Sequence, residues 1–284
     1  MLMKFVSQGY TALTMRRFVI LEKGVGETPL AAIRTWKIRN QKYTDVPVCY
    51  AGRLDPMARG KLLVLLGDEC KRQRAYMDLD KEYEIEVLLD MESDTGDVLG
   101  MPEYADKETP IDTHLFTDAL YRERGAHVRA YPAFSSKTVN GKPLFLYALE
   151  GNLSHIKIPE HIEHIYRIQH RGSYIISDVE LEARVSRFLD LVPRTDEPSK
   201  RLGEDFRVDA IRTHWQSLFK IMRGRNFTVV RLKITCASGT YMRSLASRIG
   251  ASLQTKALAL SINRTKIGKY ISVGGRVGFW IRTY

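Results

Sequence analysis

The stretch Ala51-Gly52-Arg53-Leu54-Asp55-Pro56-Met57-Ala58, with the apolar run Leu62-Leu63-Val64-Leu65-Leu66 just after it, decides how the rest of the chain is read. Gly52 and Pro56 break regular structure, so Asp55 falls in a fixed loop delivered against a buried strand. A carboxylate held rigidly beside a strand is a candidate nucleophile or base. An Asp before Pro also caps turns, and the octapeptide alone leaves both roles open.

The charge balance favours a polyanionic partner. Forty-four Lys and Arg against 33 Asp and Glu give 284 residues a formal net charge of +11, an excess suited to neutralising phosphates. No stretch of 18 apolar residues occurs, so no membrane span is expected. The start, Met1-Leu2-Met3-Lys4-Phe5, lacks a secretory signal. Cys49, Cys70 and Cys236 are far apart and odd in number, which fits neither a disulfide framework nor a metal site and suits a reducing compartment. The cytoplasm is the expected location. His155, His161 and His164 have no cysteine or carboxylate cluster beside them, so a solvated surface is their expected setting and no metal is expected. No heptad pattern stands out, and a monomer is expected.

Strands are predicted for Phe18–Leu21 and Lys61–Leu66, and for Tyr83–Leu89, where apolar residues alternate with charged ones in the period of a half-buried strand. The same alternation predicts strands over Val179–Val185 and Val230–Cys236. Thr28-Pro29 reads as an N-cap and first helical residue, opening a helix to about Lys37. Asp68 is expected to cap a short basic helix. Further helices are predicted over Thr113–Arg124, from Pro143, and over Ser244–Leu253, the last capped by Thr240. Between Ser186 and Asn226 a loop-like half, Pro193 to Gly203, precedes a stripe of Val208, Ile211, Trp215, Leu218, Phe219 and Met222 at helical spacing. Strands and helices without a regular βαβ alternation predict an α+β protein with a mixed, largely antiparallel central sheet.

Three more segments carry candidate chemistry. Lys81-Glu82-Tyr83 sets an aromatic ring at the start of a strand, where it either stacks on a base or fills the core. In Gly239-Thr240-Tyr241-Met242-Arg243, an arginine occupies the first turn of a helix, against the preference of the helix dipole, which suggests a carboxylate partner elsewhere. Tyr131 to Ser136, with Asn140-Gly141-Lys142, mixes aromatics and bases in one loop.

In chain order, Gly52 to Ala58, Lys81-Glu82-Tyr83, Ser93-Asp94-Thr95-Gly96-Asp97, Phe134 to Gly151 and Gly239 to Arg243 resemble the motifs of the TruB family of pseudouridine synthases. The resemblance spans about residues 18–271. It implies a pseudouridine synthase fold and the isomerisation of a uridine, U55 in the T-loop of tRNA, with no cofactor. By resemblance Asp55 is the catalytic aspartate attacking a flipped-out uridine. Arg243 pairs with it, and Tyr83 stacks on the base and takes part in proton transfer. Tyr241 and Ile262 line the uracil site, while Lys23, Arg53, Lys137, Lys142 and Arg264 are the bases expected to meet the RNA. Detaching a uracil and rejoining it through C5 needs a nucleophilic carboxylate, a dry pocket and extraction of the base from its stack.

The chain departs from the family pattern at named places. Tyr50 stands where the family carries a histidine that helps flip the base, and would stack or wedge there instead. Lys23-Gly24 replaces Lys-Pro, and Phe134-Ser135-Ser136 replaces Tyr-Ser-Ala, with Lys137 one place early. Ser186–Asn226 reads as a basic insertion, and the 14 residues after Tyr270 are too few for the small C-terminal RNA-binding, PUA-like domain of many members. The expectation is therefore a single catalytic domain over 1–284, in which the insertion substitutes for that domain. Because Gly-Arg-Leu-Asp also occurs in other pseudouridine synthase families, Arg53 keeps open a different tRNA or ribosomal uridine. A non-catalytic RNA-binding module is the remaining reading.

Overall fold

Every residue from Leu62 to Leu66 is apolar because the strand they form is covered on both faces. In the computed structural model, which describes residues 16–106, 108–193, 207–273 and 277–284, the chain opens with β1 (Phe18–Lys23), α1 (Pro29–Arg39), β2 (Val48–Ala51), β3 (Arg59–Leu66) and the single turn α2 (Arg74–Met77). Next come β4 (Asp80–Leu89), β5 (Met91–Ser93), β6 (Pro102–Tyr104), α3 (Thr113–Arg122), β7 (Gly125–Ala130), the small hairpin β8 (Thr138–Val139) and β9 (Lys142–Pro143), and α4 (Leu144–Leu149). The remainder is β10 (Glu160–Ser177), α5 (Asp178–Asp190), α6 (Val208–Ile221), β11 (Asn226–Cys236), α7 (Met242–Ser252), β12 (Ala257–Val273) and β13 (Val277–Thr283).

Nine of the described strands form one sheet in the order β1-β3-β12-β4-β11-β10-β7, with β2 also on β3 and β13 on β12. All its pairings are antiparallel except β3 with β12, joined at Arg59–Asn263 and Gly60–Arg264. The fold is α+β with a mixed, largely antiparallel sheet. In β3, Leu62, Val64 and Leu66 pack under α1 with Leu21, Ala32 and Ile33, while Leu63 and Leu65 pack on the other face with Ala51, Tyr76 and Ile267. The larger core covers β4, β11 and β12 with α3, α5, α6 and α7.

Thr28 caps α1 as its sequence indicates, its hydroxyl accepting the Ala31 N–H at 3.1 Å. Other expectations are corrected. The Val179–Val185 stretch is helix α5, not a strand. Ser177 and Glu180 form a reciprocal capping box, and Leu181, Val185 and Leu189 at four-residue spacing are buried while Val179 faces solvent. The strand lies just before it, in β10, a stretch for which the sequence reading predicts no element. Strand β4 keeps the alternation its sequence indicates, with Tyr83, Ile85 and Val87 buried and Glu84 exposed, while Glu82 and Glu86 are satisfied by Lys233, Thr265, Ser261 and Arg184. Asp68 and Thr240 cap nothing: Asp68 pairs with Lys71, and Thr240 donates to the Ala237 carbonyl. Cys49 and Cys70 are neighbours rather than isolated, and burial together with their mutual hydrogen bond pushes the Cys49 thiol up to about 12.

The Ser186–Asn226 stretch is woven into the core. It begins within α5, and its Leu189, Val192, Val208, Ile211, Trp215, Phe219 and Met222 belong to the main hydrophobic cluster. Most of the Pro193–Gly203 loop, like the first residues of the chain, lies outside the described residues. Trp215 is buried against Phe219, and its indole N–H donates to the Val98 carbonyl at 3.1 Å. Trp215→Ala is expected to cost about 3–5 kcal/mol of unfolding free energy in a denaturant titration. Excising Ser186–Asn226 is expected to abolish cooperative unfolding altogether, whereas a separable insertion would leave it intact.

Candidate active site

The Asp55 loop leaves β2 and enters β3 through seven residues, of which Leu54, Met57 and Ala58 are buried in the main core. Two buried cations hold it by its carbonyls. The Lys23 ammonium donates to the carbonyls of Gly24 at 2.7 Å, Pro56 at 3.3 Å and Ala58 at 2.6 Å. The Arg264 guanidinium donates to those of Gly52 at 3.0 Å, Arg53 at 3.3 Å and Lys61 at 2.7 Å. Both side chains are almost fully buried, so these bonds form away from water, where leaving a carbonyl unpaired is costly. Burial above all brings the Lys23 ammonium down to about 8, with the Arg264 charge adding to it. Gly52 and Gly60 make the close approach possible. Both have positive φ, 78° and 107°, and a Cβ on Gly60 would fall 2.4 Å from the Arg264 carbonyl oxygen.

Arg243, in the first turn of α7, gathers the rest of the site. Its Nε donates to Asp55 Oδ2 at 2.8 Å, its Nη1 to the Thr95 carbonyl at 2.5 Å and its Nη2 to the Phe134 carbonyl at 3.0 Å. One guanidinium thus joins the Asp55 loop, the 93–97 turn and the 134–136 loop. Its side chain is 5% exposed, whereas that of Asp55 is 34% exposed. The cation is sealed and the carboxylate looks outward. Burial alone would lower the Arg243 guanidinium, but Asp55 and Asp97 outweigh it and hold it above its ordinary value.

Asp97 is the second carboxylate, with its Oδ2 3.6 Å from Arg243 Nε. Its Oδ1 accepts from the Thr95 hydroxyl and the Leu99 N–H, both at 2.9 Å. Burial pushes it up to about 6 against the pull of Arg243.

Asp55 opens onto a cavity of about 250 Å³ lined by Lys81 and Tyr83 from β4, Tyr241, Met242 and Arg243 at the start of α7, and Ile262 and Arg264 from β12. Tyr83 is buried, which raises its hydroxyl. Burial and then the Asp55 charge push Tyr241 up to about 12. Both phenols are neutral near pH 7. The arrangement offers a carboxylate, a fixed cation and flat apolar walls, which suits attack on a sugar beside a planar base.

Asp55, Tyr83, Tyr241, Arg243 and Ile262 therefore come together. Tyr50 does not: its ring packs with the β1, β3 and α1 cluster, away from the cavity, because β2 directs it toward Leu62 and Val64. Lys23 and Arg264, expected on the RNA side, are buried in the loop's own carbonyls. Arg53 stays exposed on the rim. Lys137 lies 4.9 Å over the Tyr131 ring, and Lys142 pairs with Glu150 and lies 4.7 Å over Tyr147. His161 is not solvated. It stacks on Tyr131 with ring centroids 4.0 Å apart, and its Nε2 bonds the Gly239 carbonyl at 3.0 Å, fastening the turn that presents Tyr241. The sequence reading also passes over Lys81 and Asp97 as site residues. Lys81 carried a signal, since it lies two residues before Tyr83 and so on the same face of its strand. Among the described residues no group of three His, Cys, Asp or Glu could hold a metal ion.

Comparison with known proteins agrees with the motif reading. Residues 40–187 match the model of the TruB family pseudouridylate synthase, N-terminal domain. The chain is 27% identical over 252 residues to tRNA pseudouridine synthase B of Azoarcus sp. (strain BH72), covering 89% of this chain and 65% of that protein. It is 28% identical over 258 residues to tRNA pseudouridine synthase B of Borreliella afzelii (strain PKo), covering 88% and 69%. It thus spans about two thirds of the length of these relatives. In fold it is similar to a chain in the crystal structure of a Cbf5-Nop10-Gar1 complex, with a TM-score of 0.51, 16% identity, and coverage of 88% of this chain and 48% of that one. The chain belongs to the TruB family.

Two outcomes follow from the geometry. Arg264→Met leaves three partly buried carbonyls without their donor. It is expected to cost about 3 kcal/mol or more in urea unfolding, with a circular-dichroism spectrum that otherwise keeps the fold. Asp97 has its folded value raised above the ordinary carboxylate value of about 3.9. Its contribution to stability is therefore full below about pH 4 and is lost as pH rises through about 6. Relative to Asp97→Asn, the parent should lose unfolding free energy across that window and run parallel to the variant above it.

Proposed function

We propose that this protein isomerises uridine to pseudouridine in RNA, with U55 in the T-arm of tRNA as its substrate and Asp55 as its nucleophile. The observation that carries the reading is the Arg243 guanidinium, bound at once to Asp55, the Thr95 carbonyl and the Phe134 carbonyl beside a cavity walled by Tyr83, Tyr241 and Ile262. Two relatives that cover most of this chain are named tRNA pseudouridine synthase B. The net charge of +11 suits a polyanion.

The chemistry follows from the groups present. The C1′–N1 bond of the flipped nucleotide breaks, its electron pair leaving on uracil, while a carboxylate oxygen of Asp55 bonds to C1′. The uracil turns within the cavity and C5 bonds to C1′, releasing the carboxylate. C5 then loses its proton and N1 gains one, so the product is an isomer of the substrate. Arg243 pairs with the carboxylate and keeps it aimed. Tyr83 and Tyr241 offset part of the stacking lost on extrusion, a few kcal/mol, and Tyr83 relays a proton. At the cavity rim Arg53, and outside it Lys137 and Lys142 together with exposed Lys220 in the last turn of α6 and Arg223 just past it, meet the phosphates. The protein works as a monomer in the cytoplasm.

A second reading keeps the chemistry and changes the RNA. It is favoured by Tyr50, whose ring is turned into the α1 cluster where the family motif has histidine. Base-resolved mapping of pseudouridine in transcripts treated with the protein decides between the two. Modification at U55 is expected; modification only elsewhere supports the second reading, and none at any site leaves a binding module. Asp55→Asn should abolish product while RNA affinity stays at the parent value, and turnover at the parent rate would remove Asp55 from the reaction.

A further inference from the structure

Lys81 and Tyr83 leave the same face of β4 and both line the cavity that Asp55 and Arg243 share. Lys81 is 4% exposed. Of the three hydrogens on its ammonium, the described residues account for one, donated to the Met77 carbonyl at 3.0 Å. Lys23 and Arg264, its buried neighbours, are each bound to three carbonyls. Lys81 therefore keeps donor capacity where they have little. Its position is fixed against the Asp55 loop, since a Cβ on Gly52 would lie 3.3 Å from Lys81 Cε and 3.7 Å from Nζ.

The walls around it say which acceptor suits it. Beside the polar Ser136, Ser238 and Thr240, the lining presents the flat or apolar Tyr83, Tyr241, Met242 and Ile262, a surface that suits a planar base. When C1′–N1 breaks, the electron pair retained by uracil spreads over N1 and its two carbonyl oxygens. A fixed cation in a water-poor site stabilises such a charge far better than water does.

We propose that the Lys81 ammonium donates to a carbonyl oxygen of the flipped uracil and holds the negative charge of the ring while it is detached from the ribose. This rests on reading the cavity as a uridine site. Lys81 thereby touches the reacting base, in a role separate from the Arg243 pairing with Asp55. The charged and titratable groups facing it are Arg264 from β12, Asp80 at the start of β4, Asp78 before it, and Cys236 at the end of β11. Burial first, and then Arg264, bring its ammonium down to about 8, against the opposing Cys236, Asp80 and Asp78. The cation is thus the predominant form at neutral pH and is lost just above it.

The test is single-turnover isomerisation of a T-arm RNA by the full chain, with RNA affinity and melting temperature measured alongside. Lys81→Met is expected to slow isomerisation about 100-fold, as removal of one charge-stabilising donor does, with affinity unchanged. Lys81→Arg, which keeps the charge, is expected to recover part of the rate. It should also lack the fall in rate above about pH 8 that Lys81 gives the parent, because a guanidinium does not titrate there. A parent rate in Lys81→Met overturns the proposal, as does a slowing wholly explained by weaker RNA binding. Should Lys81→Met fail to fold, an unchanged alkaline limb in Lys81→Arg overturns it equally. A parent that makes no pseudouridine refutes the uridine reading itself and takes this inference with it.

Discussion

Four cations are buried around one loop, and the requirement that each find acceptors away from water shapes this site. Lys23, Lys81 and Arg264 turn to backbone carbonyls, and Arg243 to two carbonyls and a carboxylate. A buried charge without partners costs several kcal/mol, so each of these bonds strongly favours one loop geometry over any other. The Asp55 loop has no secondary structure to fix it. Its conformation is instead set by β1, β12 and α7 through Lys23, Arg264 and Arg243, and by the burial of its own Leu54, Met57 and Ala58 in the core. This also explains why residues from far ends of the sequence meet: β12 reaches the loop because it pairs in parallel with the start of β3 at Arg59 and Gly60.

Such a loop is preorganised in the sense that matters for chemistry. The carboxylate need not search for its orientation when a substrate arrives, because Arg243 already holds it and is itself held at two other oxygens. The arrangement also separates two duties. Lys23 and Arg264 act on the backbone of the loop, Arg243 on the side chain of Asp55. Weakening the first pair blurs position, while weakening the last alters charge.

The sequence made much of this legible, for reasons that differ between elements. Thr28-Pro29, the alternation in β11 and the helical stripe from Val208 to Met222 are local patterns, and local physics decided them. The motifs pointed to Asp55, Tyr83, Tyr241 and Arg243, which the fold brings around one cavity. What failed were readings in which tertiary context decides. Val179 to Val185 alternates like a strand, yet a capping box and burial at four-residue spacing made it helix α5. Lys23 and Arg264 looked like surface bases because a cation bound only to carbonyls leaves no mark in the sequence. Tyr50 was given a place in the site by its motif position, but the pleat of β2 turned it toward α1. His161 acts through a turn 78 residues away in sequence, a distance no local pattern spans.

The means by which the cations are satisfied has an electrostatic consequence for the cavity. Carbonyl dipoles stabilise a charge without cancelling it, so Lys23, Lys81 and Arg264, whose hydrogen bonds go to carbonyls, still contribute positive potential, while Arg243 is ion-paired with Asp55 and Asp97. When Asp97 takes up a proton near pH 6, one negative charge beside Arg243 is removed. Low-dielectric walls concentrate that field at the mouth of the cavity, next to the exposed carboxylate of Asp55. Under the proposed function, a site that attacks with an anion and admits a polyanionic chain needs this combination. Cations satisfied by carbonyls keep their positive potential beside the Asp55 carboxylate without neutralising it.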